Sequence, residues 1–183
     1  MEPTTLTHVE RLQLINQFRI LEKLDPENAE VYASSRKIIA NGYTIQYADV
    51  FSEVREETTT AECSYVHNVL SMYSLLIDSF ESLTDKEGLT EEDVRFQGFD
   101  AIHEGKHYYF AAHLKQEGKW QKLLKGGLNS HSERPMRLYP RMLANFEPIQ
   151  QQVLAAHYKS WTPSSDPSKT GILTADQIKQ IIS

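Results

Sequence analysis

The sequence predicts an all-α fold, and three observations lead to it. Apolar residues recur at helical spacing across 6–24 and again across 66–83. Helix-capping residues and helix breakers stand beside the periodic runs. Almost every strong period along the chain is helical, with little of the alternation that marks a strand.

The elements follow in order. Leu6, Val9, Leu12, Ile15, Phe18, Leu21 and Leu24 step by three, with Leu14 and Ile20 widening the stripe. They predict a first helix that buries one broad face, capped by Thr4 or Thr5. Asp25-Pro26-Glu27 restarts a helix, with Asp25 suited to the N-cap and Pro26 to the first turn. Val31, Ile38 and Ile39 supply the inner face of this second helix, and Asn41-Gly42 ends it, giving a helical hairpin. A third short helix is expected from Ile45 to about Glu56. A long one is expected from about Thr58 to Leu83, striped by Val66, Val69, Leu70, Tyr73, Leu76, Ile77, Phe80 and Leu83. The stripes place Phe18 and Phe80 in the core.

An acidic connector, 85–93, leads into an extended stretch, 94–100, and then a helix from Asp100 toward Glu117. The basic stretch 118–134, with Gly126-Gly127, reads mostly as loop. Pro135 opens a helix expected to be interrupted or kinked near Pro140 and Pro148. Pro163 and Pro167 mark a polar linker, and Thr174 caps a last helix through Ile182. The expected architecture is an N-terminal hairpin packed with a long helix and a second helical lobe. The chain reads as one domain over 1–183, with lobes of about 1–85 and 86–183.

Composition narrows the class. The 183 residues are 40% hydrophobic and 24% charged, which argues against disorder, collagen-like repetition and a disulfide scaffold. Cys63 is the single cysteine, so no internal disulfide forms and a reducing compartment is expected. The sequence has no apolar run of membrane-spanning length. The start, MEPTTLTHVERLQL, has neither a basic leader nor an apolar signal core, so the expectation is a cytoplasmic protein without a membrane partner.

Charge is uneven. Residues 1–104 carry 8 Lys+Arg against 20 Asp+Glu, whereas 105–145 carry 8 against 2. The two signs could pair within the fold or between subunits, or leave a basic patch for an anion. Lys115, Lys119, Lys122 and Lys125, with Trp120 among them, make the basic 106–141 segment a nucleic-acid candidate. The favoured reading is a solvated face that offsets the acidic part, since the net charge of −6 weakens attraction to phosphate.

His103-Glu104-Gly105-Lys106-His107 spells HExxH. On a helix the two histidines would lie one turn apart and chelate Zn²⁺, with Glu104 as base for its water. His113 falls where a metzincin places its third ligand, but Phe110 occupies the slot that requires glycine. If the helix continues, His113 lies about 15 Å from His103 along its axis, too far to share an ion. The favoured reading is therefore surface or core histidines, with no metal, no cofactor and no catalytic residue.

Other constellations are weaker. Asp166–Leu173 imitates a calcium loop with Gly171 sixth, yet Ser168, Thr170 and Gln177 stand where acids are needed. LDPENAEVY resembles a tetratricopeptide junction, without a second copy 34 residues away. Cys63 and His67, one turn apart, could be half a metal site, and Lys125-Gly126-Gly127 could hold a phosphate. Asp100 and Glu104 form an i, i+4 carboxylate pair, read as a helix cap and a packed partner rather than acid and base. No GxSxG, GxxxxGK[ST] or GxGxxG motif occurs.

Taken together, ERLQLINQFRILEKLDPENAEVYASSRKIIANGY, FQGFDAIHE, PMRLYPRML and ILTADQIKQII resemble the YfbU family of small bacterial proteins. The resemblance runs from about residue 8 to the C-terminus. It implies a cytoplasmic, largely helical protein that assembles into oligomers, and it carries no catalytic residue over to this chain. A relative joined to a helix-turn-helix implies ligand binding or regulation. The family pattern contains GFD and Glu104 without requiring the flanking histidines, and the polar residues at 159–170 depart from it as a loop insertion.

The functional expectation is a non-enzymatic homo-oligomer that binds a ligand or protein partner in regulation. The alternatives are a zinc-dependent hydrolase using His103, His107 and Glu104, and nucleic-acid binding through 106–141.

Overall fold

The computed structural model describes residues 5–160 and 172–183, with the side chains of 154–160 left aside. Among the described residues there are eight α-helices and no strand. The chain falls into two units, Met1–Glu57 and Thr58–Ser183, so the long central helix belongs to the second.

In the first unit, α1 (His8–Leu24) begins after Thr7, not after Thr4 or Thr5. Thr7 and Glu10 form a capping box: the Glu10 N–H donates to Thr7 Oγ1 at 3.3 Å, and the Thr7 N–H to Glu10 Oε2 at 2.7 Å. A 3₁₀ turn, Pro26–Asn28, leads into α2 (Ala29–Asn41). Asp25 does not cap α2; its carboxylate accepts instead from Asn28 Nδ2 at 2.9 Å and from the Tyr32 hydroxyl at 2.8 Å. Arg36 pairs with Glu22 at 2.6 Å across the hairpin. The Arg11 guanidinium donates to the Ile39 and Ala40 carbonyls at 2.8 and 2.6 Å, adding to the Gly42 N–H that already reaches Ile39 O at the end of α2. Gly42 then reverses the chain at φ +68°, in the left-handed region.

The expected broad buried face of α1 is corrected. A three-residue step falls about 60° short of a full turn, so seven such positions circle the helix. Leu14, Ile15 and Phe18 are half-buried, while Val9, Leu12, Ile20, Leu21 and Leu24 are exposed, and α1 has no buried residue. Val31 is likewise 62% exposed rather than on the inner face of α2. α3 (Tyr47–Val50) stops well short of Glu56. Beyond Phe51 the run Ser52–Glu57 offers only Val54, which is exposed, so a continued helix would have no face to bury.

The second unit is built on α4 (Thr60–Ser82), begun by a Thr59–Glu62 capping box. Its stripe alternates steps of three and four, which keeps Val66, Val69, Leu70, Tyr73, Leu76 and Phe80 on one buried face. Lys86 closes the other end: its ammonium donates to the Phe80 and Leu83 carbonyls and lies 4.5 Å from the Phe80 ring centre. Against α4 pack α5 (Gly105–Gln116), α6 (Gln121–Leu124), α7 (Arg134–Ser160) and α8 (Ala175–Ile182). α5 begins at Gly105 rather than Asp100, and α6 forms within the expected loop because Leu123 and Leu124 reach the core.

α7 is not interrupted at its prolines. Pro140 and Pro148 remove the donors for the Met136 and Ala144 carbonyls, but all four residues lie on the exposed face, where a freed carbonyl is accessible to solvent. Tyr139, Met142, Phe146 and Ile149 make the buried face. Thr174 caps α8 as expected, in a capping box with Gln177. Ala175, Ile178 and Ile181 are buried, and the Leu173 N–H donates to the buried Ser79 hydroxyl at 2.9 Å.

Candidate functional site

The most concentrated polar chemistry in the second unit lies where 98–107 meets 128–133. Gly98 makes the approach possible. Its φ is +87°, and a Cβ there would stand 2.4 Å from the Leu128 carbonyl oxygen. The Phe99 N–H then donates to Leu128 O at 2.7 Å and the Ser130 N–H to Phe99 O at 3.1 Å, an isolated parallel bridge opposite Asn129. From below, the buried Tyr139 hydroxyl donates to Gly98 O at 2.8 Å.

Asp100 and Glu104 follow, both buried. Asp100 Oδ1 accepts from the Ile102 and His103 N–H groups at 2.9 and 2.7 Å, and His103 Nδ1 lies 3.0 Å away. The other ring nitrogen of His103, Nε2, is 3.4 Å from Glu133. Glu104 Oε2 accepts from the Asp100 N–H at 3.2 Å, and Oε1 lies 3.3 Å from His107 Nδ1. The His107 ring rests against Tyr65 and Phe99, with centres 4.9 and 5.9 Å away. Burial, reinforced by the Glu104 charge, pushes the Tyr65 hydroxyl pKa up, so it stays protonated.

The backbone N–H of His103 is the largest influence on Asp100 and holds its carboxyl below the ordinary aspartate range, against the opposing cost of burial. The sign follows. A depressed folded pKa contributes stability above the unfolded value, and that contribution disappears as pH falls through the folded one. Asp100→Ala should therefore melt well below the parent at neutral pH, with the gap narrowing as both are acidified below about pH 4. Thermal melts across that range check it; a gap independent of pH would place the effect in packing instead.

Asp100 Oδ1 and both Glu104 oxygens are thus engaged by the backbone and the two imidazoles. His103 precedes α5, so it does not share a helix with His107 as a chelate would need, and each ring faces a different carboxylate. His113 is exposed on α5 and stacks on Phe110. Among the described residues no group of three or more His, Cys, Asp or Glu side chains is placed to hold a metal. Cys63 Sγ lies 3.9 Å from the Thr58 carbonyl, and His67 meets the edge of Phe110. Of the basic segment, Lys122 is bound to Asp78 and Glu81 at 2.8 and 2.7 Å, while Lys115, Lys119 and Lys125 stand exposed. The calcium-like run 166–171 and the polar residues 161–170 lie outside the described residues.

Sequence reasoning singled out Asp100, His103, Glu104 and His107, and the fold brings them together. It missed Asn129, whose Oδ1 accepts from the Ala101 and His131 N–H groups at 3.4 and 3.0 Å. It also missed Tyr65, Glu133 and Tyr139. The available signal was an asparagine just after a Gly-Gly turn, the residue type that binds backbone in loops.

The model of the YfbU domain matches residues 4–182. The chain belongs to the YfbU family. A UPF0304 protein of Mannheimia succiniciproducens is 34% identical over 132 residues, covering 72% of this chain and 80% of the relative. A UPF0304 protein of Actinobacillus succinogenes is 33% identical over 140 residues, covering 75% and 85%. The FQGFDAIHE block that carries the YfbU resemblance is the segment that forms the Gly98–Glu104 turn. No helix among the described residues is long and apolar enough to cross a membrane.

Proposed function

We propose that this YfbU protein is a non-enzymatic, cytoplasmic homo-oligomer that binds a partner or ligand in regulation, assembled through its first unit. The apolar outer face of that unit supports the reading. Val9, Leu12, Ile20, Leu21 and Leu24 are exposed along α1, from 37% to 75%, and Val31 and Ile45 are exposed elsewhere in the unit at 62% and 91%. Ile39 and Tyr47 are the only fully buried side chains among its described residues. So small a unit buries too little of its own surface, and an exposed apolar face of this extent marks an interaction site. A second copy is the occupant that presents the same helix face, and a two-fold axis makes such a face self-complementary.

Light scattering at micromolar concentration should give a multiple of 21.0 kDa. Apolar burial should hold the assembly at high salt, where exposed charge pairs are screened. Leu12→Glu with Leu24→Glu, both at exposed positions, should return a folded monomer. A mass of 21.0 kDa for the parent at low and high salt alike would overturn the assembly.

A further inference from the structure

A second feature of the second unit stands apart from that reading. Between the α7 face and the 92–97 segment lies a cavity of about 220 Å³ whose wall includes Arg134, Arg141, Leu138, Met142, Tyr73 and Ile182. Arg134 and Arg141 are seven residues apart, two turns along one helix face, with Leu138 between them and Met142 just beyond. Neither guanidinium makes an ion pair among the described residues. The two acids that also line it are already engaged: Glu92 pairs with Arg95 at 2.9 Å, and Asp93 accepts from the Thr90 N–H and hydroxyl at 2.8 and 2.7 Å.

Tyr73 is the second, independent sign. Its side chain is 1% exposed, yet among the described residues its hydroxyl donates only to the Met142 thioether at 3.5 Å, a weak acceptor for a buried phenol. Burial raises its pKa, so the proton stays available. Among the described residues, two arginines without an ion pair and a buried phenol without an oxygen partner therefore line one small, mainly polar cavity that also includes Leu138, Met142 and Ile182.

We infer that this cavity binds a small organic carboxylate, its oxygens taken by Arg134, Arg141 and Tyr73 and its short apolar body by Leu138, Met142 and Ile182. Guanidinium and carboxylate match in charge and in planar geometry. The cavity lies below the usual range for drug-sized ligands, which confines the body to a few carbons. Glu92 and Asp93 share the lining, and their charges disfavour a dianion such as phosphate more than a monocarboxylate.

The test is calorimetric titration of the full chain with butyrate and, separately, inorganic phosphate, with chloride holding ionic strength constant. Saturable butyrate binding is expected, weakened about tenfold in Arg134→Gln and again in Arg141→Gln. Both are surface positions, so folding is retained. Tyr73→Phe should weaken butyrate comparably, and its circular dichroism reports whether the core survives. No saturable butyrate binding, or affinity unchanged in the double arginine variant, overturns the site. Phosphate binding tighter than butyrate overturns the carboxylate assignment.

Discussion

Gly98→Ala is expected to destabilise the second unit by on the order of 4 kcal/mol, a loss outside the ordinary range for one methyl group. Two costs combine. A left-handed backbone with a Cβ costs about 1–2 kcal/mol, and the new carbon would meet the Leu128 carbonyl oxygen at 2.4 Å, on backbone that cannot swing away. Relief requires parting the Phe99–Asn129 bridge, which also frees the buried Tyr139 hydroxyl from its acceptor. Gly88 is the control. It has φ +83° with nothing within 4 Å of its would-be Cβ, so Gly88→Ala should incur the conformational cost alone. Urea unfolding of both variants measures the difference. Equal losses would mean that the approach of Gly98 to 128 contributes nothing.

Phe80→Ala is the second large effect, expected at about 3–5 kcal/mol for a buried phenylalanine that leaves a cavity. Phe80 packs among the core side chains of the second unit, and its ring also carries the Lys86 ammonium that caps α4. Phe18→Ala, by contrast, should cost about 1–2 kcal/mol, since its ring is only half-buried. Thermal or urea melts of the pair check the ranking. A Phe18 loss equal to that of Phe80 would place α1 in a closed core that the exposure pattern does not show.

That contrast also marks what the sequence could convey. The α4 stripe was legible because its steps of three and four return to one face. The α1 stripe misled because uniform steps of three wind around the helix, and an apolar residue on the outer side spells the same as one on the inner. α3 and α6 failed differently: a short helix is decided by whether one or two side chains reach a core elsewhere, which local spacing cannot tell. Pro140 and Pro148 looked like breaks because their orientation toward solvent depends on the whole face of α7. At the candidate site, the 100–107 residues announced themselves by type and spacing. Asn129 and Glu133 enter through a contact made 28 or more residues away in the chain, and nothing local predicts that pairing.

The tie between Leu173 and Ser79 has a consequence for how the protein is made. It joins positions 94 apart, and the helix it introduces supplies Ala175, Ile178 and Ile181 to a core founded on α4. During synthesis α4 through α7 emerge first, carrying an open apolar seam until α8 arrives. The core of this unit is therefore completed only when α8 is added, and contacts of such separation form slowly. In the interval the nascent chain presents sticky surface of the kind that chaperones shield and proteases cut, so the fate of a prematurely terminated chain lies in the cell's quality control.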